Sequence, residues 1–396
     1  MEIGVVGKPN VGKSTFFSAA TLAKAEIASY PFTTIEANRG VMYVRKKCPH
    51  QDFNTQCNPR NSQCEKGTRL VPVEAIDVAG LVPDAHKGKG LGNKFLDDLR
   101  QASALIHIVD AAGSTDSEGN PCDVGAHDPI EDVKFLEREI NYWVKGILFK
   151  DWHKLSKQIE MDGAKIERVL SEKLTGLGVT EGQVHAALRD SKLGEKPTQW
   201  SEDDLLSLAH HIRRHSKPII IAANKCEIAP EDNLKRLNEL EDYTVIPTCA
   251  EVELALRRAS KAELIDYLPG SGTFALKEGT DIPDNQKKAL QKIEHILEKI
   301  GDTGVQKCIE EAVFKLLDLI VVYPVEDETH LTDKENRVLP DAYLMKRGST
   351  AVDLAFKVHT DLGKNFIRAI DARTKRVVGH DHELNDCDVI KIVANA

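Results

Sequence analysis

The chain has 396 residues, 41% hydrophobic and 29% charged, enough material for two or three folded domains. Asp and Glu outnumber Lys and Arg by 62 to 53, a net charge of -9, which excludes a whole-surface attraction to nucleic acid but leaves room for a local basic face. No apolar run approaches the ~20 residues of a membrane span and "MEIGVVGKP" carries no basic leader, so the chain is expected to be cytoplasmic, with no membrane partner and eight reduced or metal-bound cysteines.

In chain order, β-rich runs fall at Ile3–Val6, Val41–Val44, Leu70–Ile76, Ala104–Val109, Ile219–Ala222 and Thr244–Pro247. Helix-like stretches separate most of them, the alternation of a mostly parallel sheet covered on both faces. The gap from Asp128 to His215 is too long for one crossover. Within it Val133, Leu136, Ile140, Val144 and Ile147 line one helix face, so a helical insertion packing on itself, as an antiparallel hairpin, is expected. Helices continue after Thr248 to about Ile320, and Pro324 then breaks the pattern. The remaining ~75 residues are expected to form a separate small unit. The domains expected are 1–127 with 216–320, the insertion 128–215, and 321–396.

"GKPNVGKS", Gly7 to Ser14, fits G-x-x-x-x-G-K-[ST] directly after one strand and before an apolar helix. Gly7 and Gly12 let backbone N–H groups turn inward onto phosphate oxygens, Lys13 reaches the β- and γ-phosphates, and the Ser14 hydroxyl meets Mg²⁺. Lys8, Pro9, Asn10, Val11 and Thr15 complete this nucleotide-binding loop. "DVAG" then places Asp77 at a strand end, to hold Mg²⁺ through water, and Gly80 where its amide senses the γ-phosphate. Between the two, "YPFTTIEAN" offers Thr33 or Thr34 as a switch threonine for Mg²⁺.

"ANKCE" and "IPTCAE" follow the last two sheet strands and read as a base clamp. Asn224 is expected at N7 of guanine, the Glu227 carboxylate at N1–H and the 2-amino group, and the Ala250 N–H at O6, with Lys225 and Cys249 beside them. Where a guanine box has Asp, this chain has Glu227. One methylene moves the carboxylate by about 1.5 Å, which is expected to weaken discrimination between the two bases, with GTP favoured and ATP as the alternative.

"YPFTTIEAN", "DVAGLVPDAHKGKGLGNKFLDDLR" and "LMKRGSTAVDLAFKVHTDLGKNFIRAI" resemble the Obg-related YchF family of GTPases and ATPases over nearly the whole chain. The resemblance implies an α/β P-loop NTPase domain with a mostly parallel sheet, a helical, coiled-coil-like insertion and a C-terminal TGS domain with a β-grasp fold. It implies Thr34 as the switch Mg²⁺ ligand, alongside Ser14 and Asp77. It also implies a ribosome partner, and Asn10 resembles the asparagine with which some related GTPases recruit K⁺. Lys13, Thr34 and Gly80 are then the expected catalytic groups of a Mg²⁺-dependent triphosphatase that acts as a translation-associated switch. Leu81 stands where many GTPases carry the water-orienting Gln and cannot hydrogen-bond; His86 and Lys87 lie on the same glycine-rich segment. Leu81 keeps open the alternative of a non-hydrolytic nucleotide sensor whose helical and TGS domains bind RNA or ribosome.

Two further features stand apart. "CPHQDFNTQCNPRNSQC" carries Cys48, His50, Cys57 and Cys64, enough ligands for tetrahedral zinc, but it lacks a C-x-x-C knuckle and reads as a flexible polar loop with metal as the alternative. From Lys346 to Arg376 eight Lys or Arg (346, 347, 357, 364, 368, 373, 375, 376) stand against three Asp, an excess of +5 that points to RNA or another phosphate-rich partner through the TGS domain.

Overall fold

A computed structural model describes residues 1–22, 38–80, 92–279 and 282–395. Among them a seven-stranded sheet is built from β1 (Glu2–Val6), β2 (Arg39–Lys47), β3 (Gln63–Glu65), β4 (Thr68–Asp77), β5 (Ala102–Asp110), β6 (Ile219–Asn224) and β7 (Thr244–Thr248). Its order is β2-β4-β1-β5-β6-β7, with β3 also on β4. The strands β4, β1, β5, β6 and β7 are parallel, so their carboxyl ends share one edge of the sheet. β2 and β3 pair with β4 antiparallel. The near-continuous apolar runs of β1, β5 and β6 are buried, as coverage on both faces demands.

The first helix, α1 (Lys13–Thr21), leaves directly from the phosphate loop, and α2 (Gly92–Gln101) leads into β5. Five helices fill the long gap: α3 (Pro129–Phe149), α4 (Trp152–Asp162), α5 (Ile166–Lys173), α6 (Glu181–Ser191) and α7 (Glu202–Ser216). Asp128 caps α3, accepting from the Ile130 amide at 3.1 Å, and Ser201 with Asp204 forms a capping box on α7. The expected hairpin is therefore larger, and it does not pack only on itself. Leu136, Ile140 and Val144 of α3 join Leu205, Leu208 and Ile212 of α7 in a core that also includes Val6, Ile76, Leu105 and Ile219 of the sheet. An apolar stripe that wide is buried only against a second apolar layer.

After α8 (Glu231–Asn238) and α9 (Ala250–Lys261) the helical run is broken by the short pair β8 (Ile265–Asp266) and β9 (Ala275–Leu276), before α10 (Asp284–Ile300) and α11 (Val305–Glu311). The C-terminal sheet has the order β11-β10-β14-β12-β13. Its strands are β10 (Leu319–Val325), β11 (Tyr343–Lys346), β12 (Phe366–Asp371), β13 (Val377–Val378) and β14 (Val389–Ala394), with α12 (Ala351–Val358) and α13 (Thr360–Lys364). This is the β-grasp arrangement.

The expected break at Pro324 is instead the interior of β10, buried along its whole length. Its Leu319–Val322 pair with β11 and its Tyr323–Val325 with β14, so Pro324 lies beyond the end of β11, where one edge needs no amide donor. The two faces of β10 serve different cores. Ile320 and Val322 pack with Ala351, Leu354 and Ile390 of the C-terminal unit. Leu319, Val321, Tyr323 and Val325 belong to the core that holds Ile3, Val5, Phe16 and Met42. The C-terminal unit is thus joined to the first through a common core. No helix among the described residues is long and apolar enough to cross a membrane.

Candidate nucleotide site

Gly7 to Ser14 cross from the end of β1 into α1. Gly12 has φ 94°, and a Cβ there would stand 2.3 Å from Asn224 Nδ2. A side chain is doubly excluded, by conformation and by the base-clamp residue packed against the loop. A Cβ at Gly7 would lie 2.7 Å from the Ile108 carbonyl oxygen, so the loop presses directly on β5. Ser14 is exposed in the first turn of α1, and Thr15 follows half-buried. The unpaired N–H groups and positive dipole end of that turn make it a natural anion site.

Lys13 forms an ion pair with Asp77 at the end of β4, both side chains retaining some exposure. This pair brings together the two charged groups expected to divide triphosphate and Mg²⁺ between them. Gly80 lies at the open end of the same segment, where a Cβ would meet nothing within 4 Å. Thr33, Thr34, Leu81, His86 and Lys87 lie outside the described residues.

The base clamp closes onto the phosphate loop through one side chain. Asn224 Nδ2 donates to the Val11 carbonyl at 2.8 Å, and its Oδ1 accepts from the Ala250 amide at 3.0 Å. Asn224 is 4% exposed, so these bonds are shielded from water. They correct one expectation. The Ala250 N–H assigned to guanine O6 is already donated to Asn224. The Nδ2 group of Asn224 has a second hydrogen beyond the one given to Val11. Cys249, half of the same turn, donates its amide to the Thr303 carbonyl at 2.9 Å.

Lys225 stands at φ 60°. Its Nζ donates to Asp110 Oδ2 at 2.9 Å and to Ser114 Oγ at 3.0 Å. Asp110, fully buried at the end of β5, also accepts from Thr115 Oγ1 at 3.0 Å and from the Ala112 amide at 3.1 Å. It is a positioning residue that sequence reading passed over; its signal was an acidic residue ending an otherwise apolar strand in "IHIVDAAGST".

Among the described residues Glu227 Oε2 is buried and has no hydrogen-bond partner, although the carboxylate as a whole interacts with the Cys249 thiol. A carboxylate oxygen left so costs free energy unless a ligand donates to it. Burial and the same carboxylate push the neighbouring Cys226 thiol up to about 12, and they push Cys249 higher than an ordinary thiol. Both cysteines therefore stay neutral beside Glu227.

Lys8 was expected among the nucleotide-binding residues, but its side chain turns away from the loop. Only 3% exposed, its Nζ bonds Asp132 at 2.8 Å and donates to the Thr115 carbonyl at 3.0 Å. His127 Nε2 meets Asp132 at 2.8 Å. Lys8 thus offers phosphate its backbone only, and its ammonium joins the loop to α3. Asn10, exposed at φ 63°, donates Nδ2 to the Gly119 carbonyl at 2.9 Å, a bond that does not involve its amide oxygen. On the C-terminal unit, Arg373 pairs with Asp52 at 2.9 Å, Lys375 donates to the Glu328 carbonyl and Arg347 pairs with Asp318 at 2.8 Å. Lys357, Lys364, Arg368 and Arg376 are exposed, and among the described residues no ion pair engages them.

Comparison with known proteins places this geometry. A family model described as a 50S ribosome-binding GTPase matches residues 2–143. One for the G4 motif-containing domain of Obg-like, YGR210-like GTPases matches 222–327, and a TGS domain model matches 335–394. An uncharacterized GTP-binding protein of Methanocaldococcus jannaschii is 53% identical, the match covering 100% of this chain and 99% of that one. The ribosome-binding ATPase YchF of Bacillus subtilis is 31% identical over 93% of this chain and 87% of its own. A crystal structure of a GTP-binding protein from Pyrococcus horikoshii superposes with a TM-score of 0.79 at 48% identity, each chain fully covered.

Proposed function

Because the chain belongs to the YchF-type, Obg-like GTPase family with a C-terminal TGS domain, we propose that it is a Mg²⁺-dependent nucleoside triphosphatase that favours GTP and works as a conformational switch on the ribosome. The observation that carries the nucleotide reading is Glu227 Oε2, a buried acceptor with no donor among the described residues, beside an Asn224 that already ties the base clamp to the phosphate loop. Guanine supplies two donors to such an acceptor, whereas adenine turns a lone pair at N1 toward it. The ribosome-binding name of the YchF relative supports the partner.

The phosphate chemistry follows from the Lys13–Asp77 pair. When a triphosphate binds, Lys13 exchanges Asp77 for the β- and γ-phosphates, and Asp77 is released. Ser14, Asp77 and Thr34 are the donor set that would hold Mg²⁺, all hard oxygen ligands, and the ion would neutralise charge that develops on the phosphates. The first-turn amides of α1 and the Gly80 amide stabilise the same charge with dipoles already oriented. The Asn10 amide oxygen would admit K⁺ beside the phosphates. With Leu81 unable to orient water, intrinsic turnover is slow and rises on the ribosome. Lys346, Lys357, Lys364, Arg368 and Arg376 are the basic groups of the C-terminal unit that would meet a phosphate-rich partner, since Arg373, Lys375 and Arg347 are engaged within the molecule.

A competition assay with GTP and ATP, followed by single-turnover hydrolysis with and without ribosomes in K⁺ and in Na⁺, tests this reading. Modest GTP preference and ribosome- and K⁺-stimulated release of phosphate are expected. Tight binding with no hydrolysis in any arm would make the chain a nucleotide sensor instead.

A further inference from the structure

The "flexible polar loop" between β2 and β3 is ordered, and its four soft ligands converge. One ligand atom each from Cys48, His50, Cys57 and Cys64 lies within 4.8 Å of all the others. Cys48 Sγ and Cys57 Sγ are 3.8 Å apart, and His50 Nδ1 stands 3.2 Å from Cys57 Sγ and 3.6 Å from Cys64 Sγ. A tetrahedron with Zn–S of about 2.3 Å and Zn–N of about 2.0–2.1 Å has S···S edges of about 3.8 Å and S···N edges of about 3.6 Å. The Cys48–Cys57 spacing and the His50–Cys64 spacing match those edges, and the His50–Cys57 spacing is shorter by about 0.4 Å, a distance that small side-chain rotations close on binding. We propose that Cys48, His50, Cys57 and Cys64 bind one structural zinc ion, which clasps the edge of the nucleotide-binding sheet to the C-terminal unit.

Three observations support a closed metal site over four coincident side chains. Cys48 is fully buried and the other three half-buried, and three thiolates with one imidazole fill all four positions of a tetrahedral ion, so none is left open for substrate. A Cys48–Cys57 disulfide would leave His50 and Cys64 unused, and all the cysteines are free. Charge also balances. Zinc with three thiolates and a neutral imidazole carries a net charge of about -1, and the fully buried Arg69 guanidinium lies close enough to act on Cys48 and Cys57. A buried anionic centre needs such a partner.

The position gives the site its purpose. Beyond a short turn at Pro49–Gln51 the loop has no regular structure until β3, and the bonds of its residues 58–61 go to the C-terminal unit. The Arg60 amide donates to the Pro340 carbonyl at 2.7 Å and the Asn58 amide to the Val338 carbonyl at 3.1 Å. Asn61 Oδ1 accepts from the Ala342 amide at 2.9 Å, and the Arg60 guanidinium pairs with Asp341. Arg69 reaches the Leu339 carbonyl at 2.9 Å. A loop this long gains little from its own contacts, and ordering it costs conformational entropy that a metal offsets. Zinc at the root of the loop presents residues 58–61 as a rigid docking edge.

The full-length protein, purified from zinc-supplemented cells and dialysed, is expected to hold about one zinc per chain by elemental analysis. Exchange with Co²⁺ should give the strong visible bands of a tetrahedral ion together with thiolate-to-cobalt charge transfer. In Cys57→Ser/Cys64→Ser both signals should fall at least about tenfold, and protease should then cut within 48–64. If that variant fails to fold, the cobalt spectrum of the parental protein decides alone. Parental protein without zinc that takes up cobalt only in weak octahedral form, or that carries a Cys48–Cys57 disulfide after anaerobic purification, would overturn the proposal. So would full zinc content in the double variant.

Discussion

The two ends of the sheet's first half handle polar groups in opposite ways. At the carboxyl edge, the groups around the phosphate loop are partnered provisionally or not at all: Lys13 leans on a half-exposed Asp77, and Glu227 Oε2 has no donor. At the β2–β3 edge, the polar groups of residues 58–61 are matched across to residues 338–342, and Arg69 donates to Ser62 and Leu339 through its two terminal nitrogens, while its Nε has no partner among the described residues. Around the phosphate loop the provisional and unmet groups are those a ligand would engage. Met valence marks a contact that stays. Between them, Lys8–Asp132 and the shared strand β10 give the open end rigid connections to the helices and to the C-terminal unit.

That contrast can be broken by substitutions on either side. The largest effect is expected at the open end: Lys13→Ala should cut single-turnover hydrolysis by about 10³-fold, as loss of one preorganised charge-stabilising group does. Its denaturation midpoint should barely move, because the Asp77 pair is partly exposed. At the closed edge the balance reverses. Arg69→Met leaves the Leu339 carbonyl and Ser62 without their donor and should lower unfolding free energy by about 3 kcal/mol, with nucleotide affinity unchanged. Denaturant titration and fluorescent-nucleotide binding on the same sample would separate the two outcomes. An Arg69→Met protein that lost nucleotide binding while remaining folded would merge what this comparison keeps apart.

A finer effect tests the unmet acceptor itself. Glu227→Asp should tighten GTP and weaken ATP by about 1–3 kcal/mol in total, read as a shift in competition constants, since the shorter carboxylate meets both guanine donors. Equal affinities before and after would show that Oε2 does not face the base. The smallest expected effect concerns pH. Burial in β5, with Lys8 nearby, lowers His107 from 6.5 to about 3. The folded state keeps the imidazole neutral while the unfolded chain protonates below 6.5. The stabilisation is therefore full above pH 6.5 and is lost as pH falls toward 3, by about 1.4 kcal/mol per pH unit at most. Urea melts at pH 7 and pH 5 should show this loss, and His107→Gln should flatten it.

How much was legible follows from the range of each interaction. The strand–loop–helix around Lys13, the Asp77 box and the two clamp segments were readable because each is a contiguous run whose glycines and backbone amides act locally. Read alone, the loop Cys48–Cys64 lacked a familiar spacing, and the Lys8 side chain looked like part of the phosphate cradle. The loop's order rests on partners some 280 residues away, and the Lys8 ammonium turns to Asp132, 124 residues on. Pro324 read as a break for the same reason, since only the neighbours of β10 show that its missing amide is not needed.

The amino-acid sequence by itself determined the α/β class, the phosphate loop and the order of the nucleotide-binding segments, because those depend on short-range periodicity and on backbone conformations that particular residues permit. Tertiary structure alone decided which polar groups are satisfied. It tied Lys225 to Asp110, gave the Ala250 amide to Asn224, left Glu227 Oε2 without a donor and drew four ligands into one cluster. Satisfaction is a property of pairs, and in a folded chain the partners are set by packing.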